Sequence, residues 1–181
     1  MPEQNDNNLV WMDLEMTGLD PKNCAIIEIA SIVTDKDLNL IAQGPLLVIH
    51  QPQPVLDAMD DWNKKHHGES GLIAAVQKST TTLEEAERQT LGFISQYTKA
   101  KCSPLCGNTI YQDRRFLIEY MPVLEDYLHY RLVDVSTIKE LVKRWYGPEF
   151  QLPQKKQKHK ALEDILETIE ELKFYRKMIF K

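Results

Sequence analysis

Short apolar runs and helical stripes alternate along the chain. Leu9 to Met16 is a strand-like apolar run, closed by the turn residues Thr17-Gly18-Leu19-Asp20-Pro21. Ile26 to Thr34 is rich in β-branched residues and Leu38 to His50 forms a second such run, so the intervening Asp35-Lys36-Asp37 predicts a hairpin connection. Pro52 and Pro54 then break the strand pattern, and residues 55–79 read as short helices and loops. Thr82 with Glu85 is a capping-box signature, and Ala86, Thr90, Phe93, Ile94 and Tyr97 keep helical spacing behind it.

The second half continues the alternation. Ser103 to Gly107 predicts a short strand, and Tyr111 to Met121 a helix stopped by Pro122. Tyr130 to Val135 alternates like a strand, and Thr137 with Glu140 predicts a second capping box opening a helix to about Tyr146. Gly147 to Lys158 reads as loop. A last helix from about Ala161 to Met178 carries Leu162, Ile165, Ile169, Leu172 and Tyr175 on one stripe. Early strands followed by alternating helices and strands predict an α/β fold with a mixed β-sheet flanked by helices, in a single domain. Residues 7–179 would form that domain and residues 1–6 a polar N-terminal tail.

Composition narrows the partners. The 181 residues include 27 Asp and Glu against 22 Lys and Arg, a formal charge of −5. Gripping long nucleic acid through a general cationic field needs the opposite balance. A nucleic-acid substrate held by a few local contacts or by metal ions stays possible. Three cysteines suit a reducing compartment better than a disulfide framework. The start of the chain is polar, and no apolar run approaches membrane-spanning length, so a cytoplasmic protein is expected.

Three places along the chain break the pattern in a way that suggests chemistry. Asp13 and Glu15 lie two apart on a strand and therefore share a face. Paired carboxylates at the C-terminal end of a strand in an α/β sheet suit a divalent cation, although a solvated strand end would look the same. Asp113 heads the stripe completed by Phe116, Leu117 and Tyr120, where it is either a ligand or a cap answering the helix dipole. His159 follows the basic run Lys155-Lys156-Gln157-Lys158, and Asp164 falls in the first turn of the last helix. Each of these is weak by itself. Cys102 and Cys106 lack a second ligand pair for zinc and are expected to be buried thiols. Asp134 is expected to be structural. The seven glycines form neither GxxxxGK[ST], GxGxxG nor GxSxG, which disfavours the common phosphate-loop, dinucleotide and serine-hydrolase classes.

Taken together, three segments resemble the motifs of the histidine-type DEDD 3′→5′ exonucleases of the ribonuclease H-like superfamily. They are Asp13-Leu14-Glu15-Met16-Thr17-Gly18-Leu19, the stretch from Cys106-Gly107-Asn108 through Gln112-Asp113-Arg114-Arg115-Phe116, and His159-x-Ala161-x-x-Asp164. Asp60-Asp61-Trp62-Asn63, His129-Tyr130-Arg131 and Leu132-Val133-Asp134-Val135-Ser136-Thr137 are similar to the branch of that family that degrades very short RNA. The resemblance runs from about Asn7 to Ile179 and implies a ribonuclease H-like fold.

It also implies roles. Asp13, Glu15, Asp113 and Asp164 would hold two divalent cations, Mg²⁺ or Mn²⁺, and His159 would take the proton from the attacking water. Leu19 would wedge between two bases, while Trp62 and His67 would line the pocket. Tyr130 and Arg131 from the second subunit of a homodimer, with Thr109, Ser136 and Lys139, would cap the 5′ phosphate and exclude longer chains. Tyr130 would also act in catalysis. Thr109 departs from the serine usual at its place. Two other readings remain open: a related exonuclease that trims tRNA ends or proofreads DNA, and a non-catalytic nucleotide-binding protein on the same fold. The second would be expected to have lost one of the five key positions, and all five are filled.

Overall fold

The structure is a computed structural model that describes residues 3–150 and 161–180. Strands β1 (Leu9–Met16) and β2 (Ile26–Thr34) pair antiparallel, and β2 also pairs antiparallel with the short strands β3 (Leu40–Gln43) and β4 (Leu47–Val48). On the other side of β1 lie β5 (Pro104–Gly107) and β6 (His129–Asp134), both parallel to their neighbours. The sheet therefore runs β3-β2-β1-β5-β6, with β4 beside β3 on the same edge of β2. All nine residues of β2 are buried, as a central strand covered on both faces requires.

The run predicted from Leu38 to His50 is split in two. Pro45 has no amide to donate to a ladder, and Gly44 sits so close to β2 that an added Cβ would stand 2.5 Å from Ser31 Oγ. In the hairpin before it, Asp35 Oδ1 accepts from the amides of Asp37 and Asn39 at 2.8 and 2.9 Å.

Helices cover both faces. Residues 53–78 form α1 (Gln53–Asp57), α2 (Asp61–Glu69) and α3 (Leu72–Lys78). They are followed by α4 (Leu83–Ile94), with Thr82 accepting from the Glu85 amide as the capping signature predicts, and by α5 (Tyr111–Tyr120) and α6 (Pro122–Tyr127). Val10, Met12 and Leu14 of β1 pack with Ala86, Ile94, Phe116, Leu117 and Leu124 in one core. Trp11, one residue out of phase, packs with Val135, Val142, Ile165, Ile169 and Tyr175 in the second core. That second layer is α7 (Val135–Trp145) and α8 (Ala161–Met178). The period of two along β1 thus sends Asp13 and Glu15 to the α8 side.

Two expectations need correction. The box at Thr137 and Glu140 does not open α7. Asp134 is the N-cap instead, its carboxylate accepting from the Ser136 amide at 2.9 Å, because β6 runs directly into the helix and leaves no room for a later start. Of the two cysteines expected to be buried, Cys106 on β5 is, but Cys102 is only half-buried in the turn before that strand. Within the loop expected at 147–158, Pro148–Phe150 makes one 3₁₀ turn, and residues 151–158 lie outside the described residues.

Candidate active site

β1 is longer than its parallel partner. Only Val10 and Trp11 pair with β5, so beyond them β1 runs on without a ladder on that side. The amide of Leu14 there is satisfied by a side chain, donating to Asp113 Oδ1 at 3.0 Å from the first turn of α5. This opening lies at the C-terminal ends of parallel strands and beside the point where connections leave to opposite sides of the sheet, the usual place for a ligand in such folds. It gathers carboxylates from three elements. Asp13, Glu15 and Asp164 each offer an oxygen, and these three atoms lie within 4.8 Å of one another. Asp113 stands outside that trio but adds its charge to Asp13 and Glu15.

Such crowding is electrostatically costly. Burial pushes the Asp13 carboxyl well above the usual range, and Asp113, Glu15, Asp164 and Glu28 push it further. Glu15 is raised to about 8, first by burial and then by Glu28, Asp164 and Asp113. Burial also lifts Asp113, against the lowering effect of the Leu14 amide. Asp13, Glu15 and Asp164 form an all-oxygen donor set, with the Asp113 carboxylate beside it, suited to hard divalent cations. Cations held here would relieve the repulsion that raises these groups.

Glu28 escaped the sequence reading. It lies opposite Glu15 across the β1–β2 ladder, is buried, and accepts from the Ala161 amide at the head of α8 at 3.4 Å. The signal was available: a lone charge in the apolar run Ile26-Ile27-Glu28-Ile29.

Next to the carboxylates is a cavity of about 160 Å³ lined by Glu15, Met16, Gly18, Leu19, Trp62, Asn63, His66 and His67. Leu19 is 72% and Trp62 56% exposed, so both present apolar surface without being part of the core. Gln112 and Arg115 of α5 donate to the Leu19 carbonyl and hold its turn in place. Trp62 stacks on His66 with ring centroids 3.8 Å apart, a partner the sequence reading did not name. His67 is buried, its Nε2 3.0 Å from the Met16 carbonyl and its Nδ1 4.0 Å from Glu15. A carbonyl only accepts, so Nε2 carries the proton.

A second cavity, of about 400 Å³, is lined by residues including Thr109, Tyr111, Asp134, Ser136, Leu141 and Arg144. Thr109 adopts a left-handed φ of 52°, unusual for a β-branched residue, and is held there by local bonds. Its amide donates to Asp134 Oδ1 at 3.0 Å and to Ser136 Oγ at 2.9 Å. Asp134 is structural, as expected. Lys139 does not line this cavity; its ammonium lies 3.4 Å from the buried Glu171, which also accepts from the Tyr175 hydroxyl. Tyr130 and Arg131 are exposed on β6, Arg131 over the Tyr130 ring at 5.3 Å, and neither lines the two cavities. His159 lies outside the described residues.

Comparison with known proteins agrees with this geometry. A family model described as Exonuclease matches residues 10–172. Oligoribonuclease from Shewanella loihica is 58% identical over 177 residues, 97% of each chain. Oligoribonuclease from Shewanella baltica is 60% identical over 176 residues, again 97% of each. The chain belongs to the oligoribonuclease family. Among solved structures, exonuclease I from Methylocaldum szegediense superposes with a TM-score of 0.72 at 17% identity, covering 96% of this chain and 41% of that one. A zinc-bound E. coli exonuclease I complex with single-stranded DNA gives a TM-score of 0.64 at 14% identity, covering 98% and 41%. The chain thus spans about two-fifths of those structures, which share its ribonuclease H-like exonuclease fold.

Proposed function

We propose that this member of the oligoribonuclease family, a 3′→5′ exoribonuclease, hydrolyses dinucleotides and other very short RNA to 5′-mononucleotides by two-metal-ion catalysis. The observation that carries the proposal is the carboxylate cluster opening onto a cavity only about 160 Å³ in volume, bordered by Leu19, Trp62 and His67. A pocket of that size beside the carboxylates suits one base next to the bond to be cut. An aromatic face such as Trp62 binds any base, at about 1–3 kcal/mol per stacked base.

Asp13, Glu15, Asp113 and Asp164 would hold the two cations, Mg²⁺ or Mn²⁺. Bound there, these would supply Lewis acidity to the phosphodiester and lower the pKa of a water. The chain's own groups do the rest. The Leu14 amide orients the Asp113 carboxylate. His67 is locked by the Met16 carbonyl against the wall of the base pocket, and Leu19 separates the two bases. His159 would take the proton of the attacking water as its oxygen bonds to phosphorus and the bond to the 3′ oxygen breaks, that leaving oxygen taking a proton from solvent to become the free 3′ hydroxyl. Thr109 and Ser136 receive the 5′ phosphate, with Tyr130 and Arg131 of a second copy closing over it and Tyr130 assisting catalysis, while Lys139 stays paired with Glu171 outside that cavity. The exposed apolar side chains Ile118, Val123 and Tyr130 favour such pairing, since α5 and α6 pack together and Arg114 of α5 donates to the Tyr130 carbonyl at 2.9 Å.

Asp13→Ala tests the assignment. The variant should keep the wild-type circular dichroism spectrum, bind a dinucleotide, and lose hydrolysis by about a thousandfold or more, the scale on which such sites act. Wild-type turnover in this variant would refute it.

A further inference from the structure

A directional chain of hydrogen bonds joins the candidate 5′-phosphate site to the helix that carries Asp164. Thr109 Oγ1 and Ser136 Oγ are 3.0 Å apart, and Ser136 Oγ donates to Asn108 Oδ1 at 3.3 Å. Asn108 Nδ2 donates to Thr168 Oγ1 at 2.7 Å, and Thr168 Oγ1 donates to the Asp164 carbonyl at 2.7 Å. The directions are fixed by chemistry. Asp164's carbonyl can only accept, so the Thr168 hydroxyl gives its proton there and must accept from the Asn108 amide. That leaves Asn108 Oδ1 as the acceptor for Ser136, whose lone pairs face the amide and hydroxyl of Thr109. Each of the four side chains has its hydroxyl or amide role assigned, and Thr168 is buried.

The chain links three separate pieces of backbone: the loop after β5, the first turn of α7, and the first two turns of α8. Within a helix, a threonine bonding back to the carbonyl four residues earlier bends the local turn. Here the hydroxyl making that bond is itself aimed by Asn108. Groups behind the metal ligands commonly set the ligands' orientation.

We propose that Asn108 and Thr168 are positioning residues that couple the 5′-phosphate site at Thr109 and Ser136 to the Asp164 side of the metal cluster. This rests on the function proposed above. A bound 5′ phosphate accepts from the Thr109 hydroxyl, while Ser136 keeps its donation to Asn108 and its bond from the Thr109 amide. Fixing Thr109 in this way orders the head of the chain and so holds the first turn of α8 in its ligating position. The enzyme would then respond to a 5′-phosphorylated dinucleotide through turnover as well as through affinity.

The test uses full-length Thr168→Val, which removes the hydroxyl at nearly constant shape, and Thr168→Ser, which restores it. Mn²⁺ binding without RNA is followed by the loss of the free Mn²⁺ paramagnetic resonance signal. kcat and KM are measured for one dinucleotide with and without a 5′ phosphate. Thr168→Val should bind Mn²⁺ about tenfold more weakly and lose the gain in kcat that the 5′ phosphate gives the wild type, with Thr168→Ser within about twofold of wild type. If Thr168→Val does not fold, Asn108→Ala, at a half-buried position, must show the same two losses. A lowered melting temperature with wild-type Mn²⁺ binding and an unchanged 5′-phosphate effect on kcat would make the chain purely structural and overturn the proposal. A wild type that binds no Mn²⁺ would instead overturn the metal reading, and one indifferent to the 5′ phosphate would overturn the phosphate site; this proposal would fall with either.

Discussion

Replacing Glu15 with Gln should stabilise the metal-free protein, and more so as pH rises. Glu15 is 14% exposed, and its carboxyl is raised from 4.5 to about 8, chiefly by burial and then by Glu28, Asp164 and Asp113. A folded-state value above the unfolded one means that the folded protein binds this proton more tightly. Folding is therefore favoured while the group is protonated in both states, and stability falls as pH climbs from 4.5 toward 8. At about 1.36 kcal/mol per pH unit, the loss is about 1 kcal/mol at about pH 5 and about 3 kcal/mol at about pH 7. Gln keeps the size and removes the titration. For a chain of 181 residues, melting should rise by about 2–4 °C at about pH 5 and by about 6–12 °C at about pH 7. Thermal melts in excess chelator across this range measure the gap. Added Mn²⁺ should narrow or reverse it, since the wild type alone keeps the full ligand set. A gap between wild type and Glu15→Gln that stays constant with pH would refute the electrostatic account of the cluster.

Two further outcomes probe the substrate side. Trp62→Ala removes an exposed ring that the core does not need; it should leave melting unchanged and raise KM for a dinucleotide about 5- to 150-fold, the equivalent of one base stack. Arg131→Ala and Asp13→Ala, each inactive alone, should regain about one quarter of wild-type activity after their subunits are mixed and re-assorted, because half of the dimers are mixed and each carries one complete site. Failure of mixing to restore turnover, or sedimentation of a fully active monomer, would remove the shared phosphate cap.

Much of the fold was legible because hydrophobic period and capping chemistry agree along most of the chain. The β1 alternation alone placed Asp13 and Glu15 on one face, and the α8 stripe placed Asp164 in a first turn. What escaped depends on contacts between distant segments. The break after Gln43 is set by the approach of Gly44 to Ser31, which no local pattern encodes. The start of α7 is set by Asp134 closing a strand directly onto a helix, and that cap outcompetes the box at Thr137. Glu28 and the Asn108–Thr168 chain are pairings across 133 and 60 residues, visible only once β2, the β5 loop and α8 are brought together. His67 was named through the family resemblance, and its bond to the Met16 carbonyl belongs to the folded chain.

The acidic surplus fits the same picture. Several of the 27 acidic side chains are gathered where cations would supply the positive charge that the surface lacks. A substrate with one or two phosphates gains little from a broad basic face. The most direct measurement is therefore turnover on a length series of 5′-labelled RNA, from two nucleotides upward, with and without chelator. The account predicts the highest kcat/KM for the dinucleotide, a steep fall with each added nucleotide, and no cleavage in chelator. Cleavage of a long strand as fast as the dinucleotide, or turnover that persists without divalent metal, would contradict it.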